Sequence, residues 1–263
     1  MIEKYYNGVI EQVAGGIGNV EHNSILVRYS NDFSIWDLES VNHYKDQTDI
    51  FFTCHEFSYN KIAEAYEPYL GLIRQMFHKY CSGTLEEFME ECDVYKLQRP
   101  VFESYFEKGF CERTEQILID EVEYEQERMH SSIVTMLQKL SEICPIVIVL
   151  NRFQLASKST MQLTNRLLQT KNKNIGIVLG VNDVQSIPEF AHEEWDAICE
   201  SMDDRNMVYH IGNAGRNMEP DVMDYYSDYE SDDGYRKLNN LVYFLDFDQA
   251  DHHLSKIERR IKF

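Results

Sequence analysis

The stretch Pro145-Ile146-Val147-Ile148-Val149-Leu150-Asn151-Arg152 decides the fold of this chain. Ile146 to Leu150 are five consecutive apolar residues of types that favour β-strands, and two polar residues follow them at once. A helical pattern of apolar residues resumes near Ser159. A short apolar strand, a tight loop and a helix are typical of a parallel sheet covered by helices on both faces. Polar residues just past the carboxyl end of such a strand stand where α/β sheets bind ligands, so Asn151 and Arg152 are the first candidate site residues.

Four further segments have the pattern of short strands, and helical patterns separate them. These predicted strands are residues 24–29, 48–53, 174–182 and 207–211. Because strands that alternate with helices pair in parallel, the sequence predicts an α/β fold with a parallel five-stranded sheet flanked by helices. Residues 35–44 and 188–202 are predicted helices, and residues 60–144 are predicted to form a large helical insertion.

The chain divides into three parts by composition. Residues 1–212 hold the predicted α/β domain, and residues 213–235 hold seven acidic residues, which predicts an extended acidic loop. Residues 236–263 have the pattern of an amphipathic C-terminal helix with no capping glycine or proline at its end. We therefore expect the chain to continue in the native protein into a downstream domain, with a naturally short protein as the alternative.

Charge and composition narrow the classes of partner. The 263 residues carry 25 basic and 45 acidic side chains, a formal charge of −20, which disfavours direct nucleic-acid binding and an anionic membrane partner. No apolar run approaches the roughly 18 residues of a membrane span, and the N-terminus lacks the layout of a signal peptide. Six scattered cysteines fit reduced thiols, so we expect a cytoplasmic location.

A P-loop ATPase is defined by two sequence motifs. The first is G-x-x-x-x-G-K-[ST], which surrounds the phosphates, and the second is an aspartate at the end of a neighbouring strand, which holds Mg²⁺. Lys158-Ser159-Thr160 fits the end of the first motif, but Arg152 and Ser157 stand at its glycine positions. Gly15-Gly16-Ile17-Gly18 has no following lysine. Neither stretch predicts a phosphate loop.

In another register, residues 146–168 resemble the magnesium-binding strand and following helix of STAND-type ATPases. These are AAA-like regulatory P-loop ATPases that precede helical repeats, DNA-binding domains or nucleotide cyclases. Their pattern is a strand followed by Asp-Asp-Leu-His/Gln-Trp-Ala-Asp-x-Ser-Leu/Thr. Asn151 and Arg152 stand at the two aspartates, and Leu155 replaces the tryptophan. The positions that fit the pattern are Gln154, Ala156, Ser159 and Thr160.

The resemblance extends over roughly residues 20–260. Residues 24–29 resemble the P-loop strand, Phe33-Ser34 stands where Lys-Ser/Thr is expected, and Val178–Asn182 resembles the sensor strand. Tyr66-Glu67-Pro68-Tyr69 resembles the segment after the second strand. The resemblance implies a P-loop-NTPase-like sheet with a cleft for ATP or ADP, and we expect strands 24–29 and 146–150 to lie side by side in it. The candidate residues of this cleft are Asn31, Ser34, Asn151, Arg152 and Asn182.

The departures from the family pattern indicate lost catalysis. The chain lacks the P-loop lysine and glycines, and neutral Asn151 is a weaker Mg²⁺ ligand than a carboxylate. Without charge neutralisation at the transferred phosphate, most of the catalysis is lost. We therefore expect a non-hydrolysing regulatory module of a bacterial signal-transduction protein. By resemblance, it would relay its state to a C-terminal output domain, a diguanylate cyclase or a DNA-binding unit. Arg152 is expected either to contact a phosphate or to pair with an acidic side chain.

Two other functions and several weaker sites stay open. One alternative is a weak ATPase that uses Asn31, Ser34 and Asn151, and the other is a protein-interaction scaffold without a nucleotide. His55-Glu56 as an acid–base pair and His252-His253 as metal ligands are weaker candidates, because isolated histidines are more often ordinary surface residues. The two tryptophans, Trp36 and Trp195, are predicted to fill the core.

Overall fold

The structure is a computed structural model. It describes residues 2–18, 23–30, 34–45, 49–58, 61–109, 122–183, 187–203, 208–211, 236–238, 241–242 and 246–261. The predicted acidic loop at 213–235 and the candidate residue Asn31 lie outside the described residues.

Parallel strands form the centre of the molecule. They are β1 (Ser24–Tyr29), β2 (Phe51–Glu56), β3 (Ile146–Asn151), β4 (Ile175–Asn182) and the short β5 (Val208–Ile211). Four of them form the body of the sheet in the order β2-β3-β4-β1, and β5 pairs with the outer side of β1. The predicted α/β class with a parallel sheet flanked by helices is confirmed, whereas the P-loop assignment stays a prediction.

The expectation that β1 and β3 lie side by side is wrong. The strand β4 lies between them and pairs with both. All eight residues of β4 are buried, as are all six of β3, whereas every residue of β2 is half-buried. A strand that is apolar on both faces is best covered near the centre of a sheet, which accounts for the position of β4.

Nine helices have both ends within the described residues, and residues 236–238 and 241–242 are also helical. The nine are α1 (Ile2–Gly15), α2 (Glu39–Lys45), α3 (Tyr69–Tyr80), α4 (Leu85–Glu91), α5 (Arg99–Lys108), α6 (Val122–Ile143), α7 (Lys158–Thr170), α8 (His192–Asp203) and α9 (Phe247–Ile261). Single turns of 3₁₀-helix form at Ile35–Asp37, Phe153–Leu155 and Glu189–Ala191. The predicted helical insertion corresponds to α3–α6, with turns rather than helix at residues 65–68. None of the helices in the described part of the chain is both long and apolar enough to cross a membrane.

The two faces of the sheet are covered by different parts of the chain. Helices α1 and α2 pack on one face, against alternate residues such as Val27, Val149 and Val178. Helices α3, α6, α7 and α8 pack on the other face, against residues such as Ile148 and Leu179. The crossover from β1 to β2 therefore runs over one face, and the later crossovers run over the other. The carboxyl end of β1 is thus the point where loops diverge, the place where α/β sheets bind ligands.

Two glycines of β4 allow α1 to lie close to the sheet. A Cβ atom at Gly176 would lie 2.7 Å from Val13 Cγ1 of α1. A Cβ atom at Gly180 would collide with the Tyr6 hydroxyl of α1 and would lie 2.5 Å from Asn151 Oδ1. Since real Cβ atoms do not approach other atoms so closely, both positions require glycine for this packing.

The two tryptophans differ in how far their side chains are exposed to solvent. Trp195 of α8 is 5% exposed, so its predicted place in the core is confirmed. The prediction for Trp36 is wrong, because this side chain is 45% exposed. The Lys45 ammonium lies 4.6 Å from the centre of the Trp36 ring, a cation–π contact that partly covers the ring.

A buried histidine of α6 should make the stability depend on pH. Burial lowers the pKa of His130 from 6.5 to about 4. Above pH 6.5 the imidazole is neutral whether the chain is folded or unfolded, but between pH 6.5 and 4 the unfolded chain binds a proton that the folded protein does not. We expect His130 to lower the free energy of unfolding by about 3 kcal/mol over that interval.

Chemical denaturation of wild type and His130→Gln from pH 7 to pH 4 checks this expectation, with exposed His78→Gln as the matched control. The difference between wild type and variant is the quantity to compare. His55, whose pKa is also lowered to about 4, adds a similar slope, and Asp246, whose pKa burial raises to about 6, adds an opposite one. A His130→Gln curve parallel to that of wild type would contradict the assignment.

Candidate functional site

Three of four neighbouring strands end in side chains that meet on the face covered by α1 and α2, across a glycine of the fourth strand. In the order of the sheet, the row consists of Glu56 (β2), Asn151 (β3), Gly180 (β4) and Tyr29 (β1). Glu56 lies opposite Asn151 in the register of β2 and β3. Because side chains alternate between the two faces of a strand, residues of matching parity share one face, which brings these four positions together. We call this set the strand-end row.

Hydrogen bonds join the members of the strand-end row. The Tyr29 hydroxyl donates to Asn151 Oδ1 over 2.7 Å. The Asn151 side-chain amide donates to Glu56 Oε1 over 3.2 Å. The first bond passes over β4 at Gly180, where the lack of a side chain leaves room for it. The row therefore ties together the carboxyl ends of three strands across a fourth.

Glu56 contacts three of the predicted site residues, Asn151, Arg152 and Ser34. Its Oε1 atom lies 3.5 Å from the Arg152 guanidinium, and its Oε2 atom accepts a hydrogen bond from Ser34 Oγ over 3.3 Å. Ser34 also caps the following 3₁₀ turn by accepting from the Trp36 amide. Of the two expectations for Arg152, pairing with an acidic side chain is observed. The guanidinium balances the charge of the carboxylate beside Asn151.

Asn151 is enclosed by the protein. Asn151 and Tyr29 are both 0% exposed, and each end of the Asn151 side chain has a partner within the row. For Asn151 Oδ1 to bind a metal ion instead of Tyr29, the buried Tyr29 hydroxyl would have to lose its acceptor. An unsatisfied buried hydroxyl costs about 1–3 kcal/mol. The amide thus acts here as a structural bridge between β1 and β2.

The remaining candidate within the described residues, Asn182, lies near the row without forming its centre. Asn182 ends β4 opposite Tyr29, and its backbone amide donates to Gln154 Oε1 over 3.3 Å. Gln154 is 0% exposed and follows Arg152 in the loop after β3. Arg152 has left-handed backbone angles (φ 52°, ψ 42°), which are costly for a residue with a side chain. The ends of β3 and β4 are therefore joined through this loop.

The possible acid–base pair His55-Glu56 is not formed. These consecutive residues of β2 point to opposite faces of the sheet, and His55 Nε2 lies 3.6 Å from Glu67 Oε1 instead. Burial lowers the pKa of His55 to about 4, so its imidazole is neutral near pH 7. Burial likewise raises the pKa of Cys54 to about 11, which keeps this neighbour of Glu56 a thiol. Neither side chain is prepared for nucleophilic or acid–base catalysis.

Tyr6 of α1 adds a further hydroxyl at Gly180. Burial, followed by the neighbouring Tyr29 and Glu56, raises the pKa of Tyr6 well above its ordinary value, so it stays a neutral phenol. Within the described residues, no group of three or more His, Cys, Asp or Glu side chains is arranged to hold a metal ion. The strand-end row is accordingly a hydrogen-bonded chain of a phenol, an amide and a carboxylate, and the Arg152 guanidinium pairs with that carboxylate.

Of the residues in and around the strand-end row, the sequence predicted Ser34, Asn151 and Arg152 as site residues and missed others. It treated Glu56 as a partner of His55 and did not single out Tyr29, Tyr6 or Gly180. A positional signal was available for Tyr29, which ends the predicted strand 24–29, whereas Glu56 lies beyond the predicted strand 48–53 and ends β2 only in the structure. Comparison with protein-family models, with curated proteins and with solved structures finds no match to this chain.

Proposed function

We propose that this chain is a non-hydrolysing regulatory module with a P-loop-NTPase-like arrangement of strands, part of a bacterial signal-transduction protein. The module would relay the state of its strand ends through the C-terminal helix to an output domain in the same polypeptide. A diguanylate cyclase or a DNA-binding unit is the output that the sequence resemblance suggests.

The observation that carries the proposal is that the Asn151 side chain is buried and hydrogen-bonded within the protein. Hydrolysis by P-loop ATPases needs a carboxylate that holds Mg²⁺ at the end of this strand. Here the equivalent side chain is a buried amide with hydrogen bonds to Tyr29 and Glu56. The nearby Glu56 carboxylate has the Arg152 guanidinium 3.5 Å away, so its charge is already balanced without a metal ion.

The topology supports the proposal at the level of the fold. The crossovers diverge at the carboxyl end of β1, which is where ligands bind in α/β sheets. The strand β4 between β1 and β3 departs from the side-by-side placement that the resemblance implied, so the topological support is the position of this edge alone.

A relay to the C-terminal helix is supported by contacts at the start of α7. The Lys158 amide donates to Gln249 Oε1 over 3.2 Å, and the Ser159 amide donates to Asp246 Oδ2 over 2.9 Å. These are the first two amides of α7, which begins directly after the loop that carries Arg152. Side chains at the start of α9 therefore contact the residues that follow the loop after β3, so a shift of that loop would be transmitted to α9.

The purified chain should show no Mg²⁺-dependent ATP hydrolysis above the background rate. Phosphate release from millimolar ATP, with and without Mg²⁺, measures this for wild type and for Asn151→Ala. The matched control is Asn42→Ala, a change at an exposed position of α2. Turnover that requires Mg²⁺ and is lost in Asn151→Ala, while Asn42→Ala retains it, would refute the proposal and favour the weak ATPase.

A further inference from the structure

A small cavity lies at the carboxyl edge of the sheet, apart from the strand-end row. Its volume is about 310 Å³, and residues that follow three different strands line it together with α9. Ser58 follows β2, Leu155 follows β3 and Phe190 follows β4, while His252 and His253 come from α9. Since ligands of α/β proteins bind outside the carboxyl ends of strands, this is a favoured place for a small molecule.

The walls of the cavity are largely flat rings and aliphatic groups. The Phe190 and His252 rings lie 5.0 Å apart at an interplanar angle of 64°, and the His253 ring lies 6.4 Å from Phe190. Leu155 and Ile187, both half-buried, add aliphatic surface. The exposed faces and edges of such rings are surfaces against which a further aromatic ring packs favourably.

The wall contributed by α9 is held in place by two hydrogen bonds of one side-chain amide group. Gln249, which lines the cavity, donates through Nε2 to the Ala63 carbonyl over 3.1 Å and accepts at Oε1 from the Lys158 amide. These bonds connect α9 to the segments that follow β2 and β3. A fixed wall lowers the entropy cost of binding, because the site is already formed.

We propose that this cavity binds a small planar aromatic molecule with a hydrogen-bonding edge, and that the bound ring stabilises the docked position of α9. The volume is near the lower limit of about 300 Å³ for ligand pockets, which suits one or two fused rings rather than a whole nucleotide. Imidazole groups and the Ser58 hydroxyl supply polar contacts for the edge of the ring. The link to α9 rests on the proposed regulatory function, whereas the binding of the ring does not.

Ligand-observed NMR by saturation transfer tests the site, with adenine and indole as the two probes and cyclohexanol as the non-aromatic control. We expect at least one of the rings to bind wild type, and His252→Ala and Phe190→Leu to weaken that binding about tenfold. Phe190→Leu keeps an apolar side chain and removes the ring. His78→Ala, at an exposed position of α3, should bind as wild type does. Circular dichroism establishes that each variant is folded.

No saturation transfer to either ring, or unchanged affinity in both His252→Ala and Phe190→Leu, would overturn the site. Hydrogen exchange of the amides of α9 at saturating probe tests the second half of the proposal. We expect slower exchange with the probe bound, and an unchanged rate would overturn the link to α9. Failure here is separable from failure of the proposed function, since Mg²⁺-dependent ATP turnover and ring binding are measured independently at different side chains.

Discussion

Gly180→Ala should lower the free energy of unfolding by about 3 kcal/mol, at the upper end of the usual cost of overpacking. The added methyl group would collide with the Tyr6 hydroxyl and would lie 2.5 Å from Asn151 Oδ1. Relief requires either α1 to move away from the sheet or Asn151 to give up its hydrogen bond from Tyr29. For a domain of this size, the loss corresponds to a fall in Tm of roughly 10 °C, measurable by thermal denaturation.

Two variants test the cause of this loss. Gly8→Ala adds the same methyl group at an exposed position of α1 with no atom within 4 Å, so it should stabilise the protein by about 1 kcal/mol through helix propensity. Tyr6→Phe removes the colliding hydroxyl, so Gly180→Ala should cost less when combined with Tyr6→Phe than alone. A Gly180→Ala protein as stable as wild type would show that α1 does not lie where the structure has it.

Asn151→Asp should destabilise the protein by a similar amount at pH 7. The amide nitrogen that donates to Glu56 Oε1 over 3.2 Å would become a second carboxylate oxygen, which faces Glu56 as a like charge in a buried position. A buried charge left without a compensating partner costs about 3–5 kcal/mol, and Arg152 can neutralise only one of the two carboxylates. Chemical denaturation of wild type and variant gives the difference.

Removing the opposing charge should restore part of the lost stability. In Asn151→Asp combined with Glu56→Gln, the glutamine amide can donate to the new aspartate, so the double variant should be more stable than Asn151→Asp alone. Asn42→Asp, at an exposed position of α2, is the matched control and should cost less than about 0.5 kcal/mol. If Glu56→Gln made Asn151→Asp still less stable, the hydrogen bond between these two side chains would be in doubt.

Millimolar Mg²⁺ adds a further readout on Asn151→Asp. Two facing carboxylates at the end of neighbouring strands resemble the oxygen ligands that a divalent cation prefers. We expect Mg²⁺ to raise the Tm of Asn151→Asp and to leave that of wild type unchanged, since binding to the folded state stabilises it. Equal shifts in both proteins would argue that Asn151 does not govern metal affinity at this edge.

The buried strands were predictable because their signal is local. Ile146–Leu150 and Ile175–Val181 are apolar runs that need cover on both faces, and the structure places them as β3 and β4. The second strand was placed at 48–53 but runs from Phe51 to Glu56. As an edge strand it is half-buried, so its polar carboxyl half pairs with β3 through the backbone without an apolar pattern.

Other elements depended on contacts that a local pattern does not contain. Helix α1 was not predicted, because the glycines of Gly15-Gly16-Ile17-Gly18 indicated a loop, although Tyr6, Val9 and Val13 have helical spacing. The prediction of one helix over 236–263 is wrong at Asp246, which is not helical and directly precedes α9, although residues 236–238 and 241–242 are helical. There the Asp246 carboxylate accepts from Ser159 of α7, a distant partner.

Part of the candidate site was predictable from the sequence. Asn151 and Arg152 directly follow the predicted strand 146–150, which singled them out by position, and Ser34 was predicted from the family resemblance. The central role of Glu56 requires the knowledge that β2 neighbours β3, and the role of Tyr29 requires the gap at Gly180. Strand order follows from how crossovers pack, which no single segment of sequence specifies.

The missing side chain at position 180 also constrains how related sequences can vary. A homologue with a larger residue there would need a smaller residue at position 6 and a different one at position 151, since all three occupy the same space. We expect substitutions at positions 6, 151 and 180 to occur together across evolution rather than one at a time. Sequences that keep glycine at 180 should keep both the phenol and the amide.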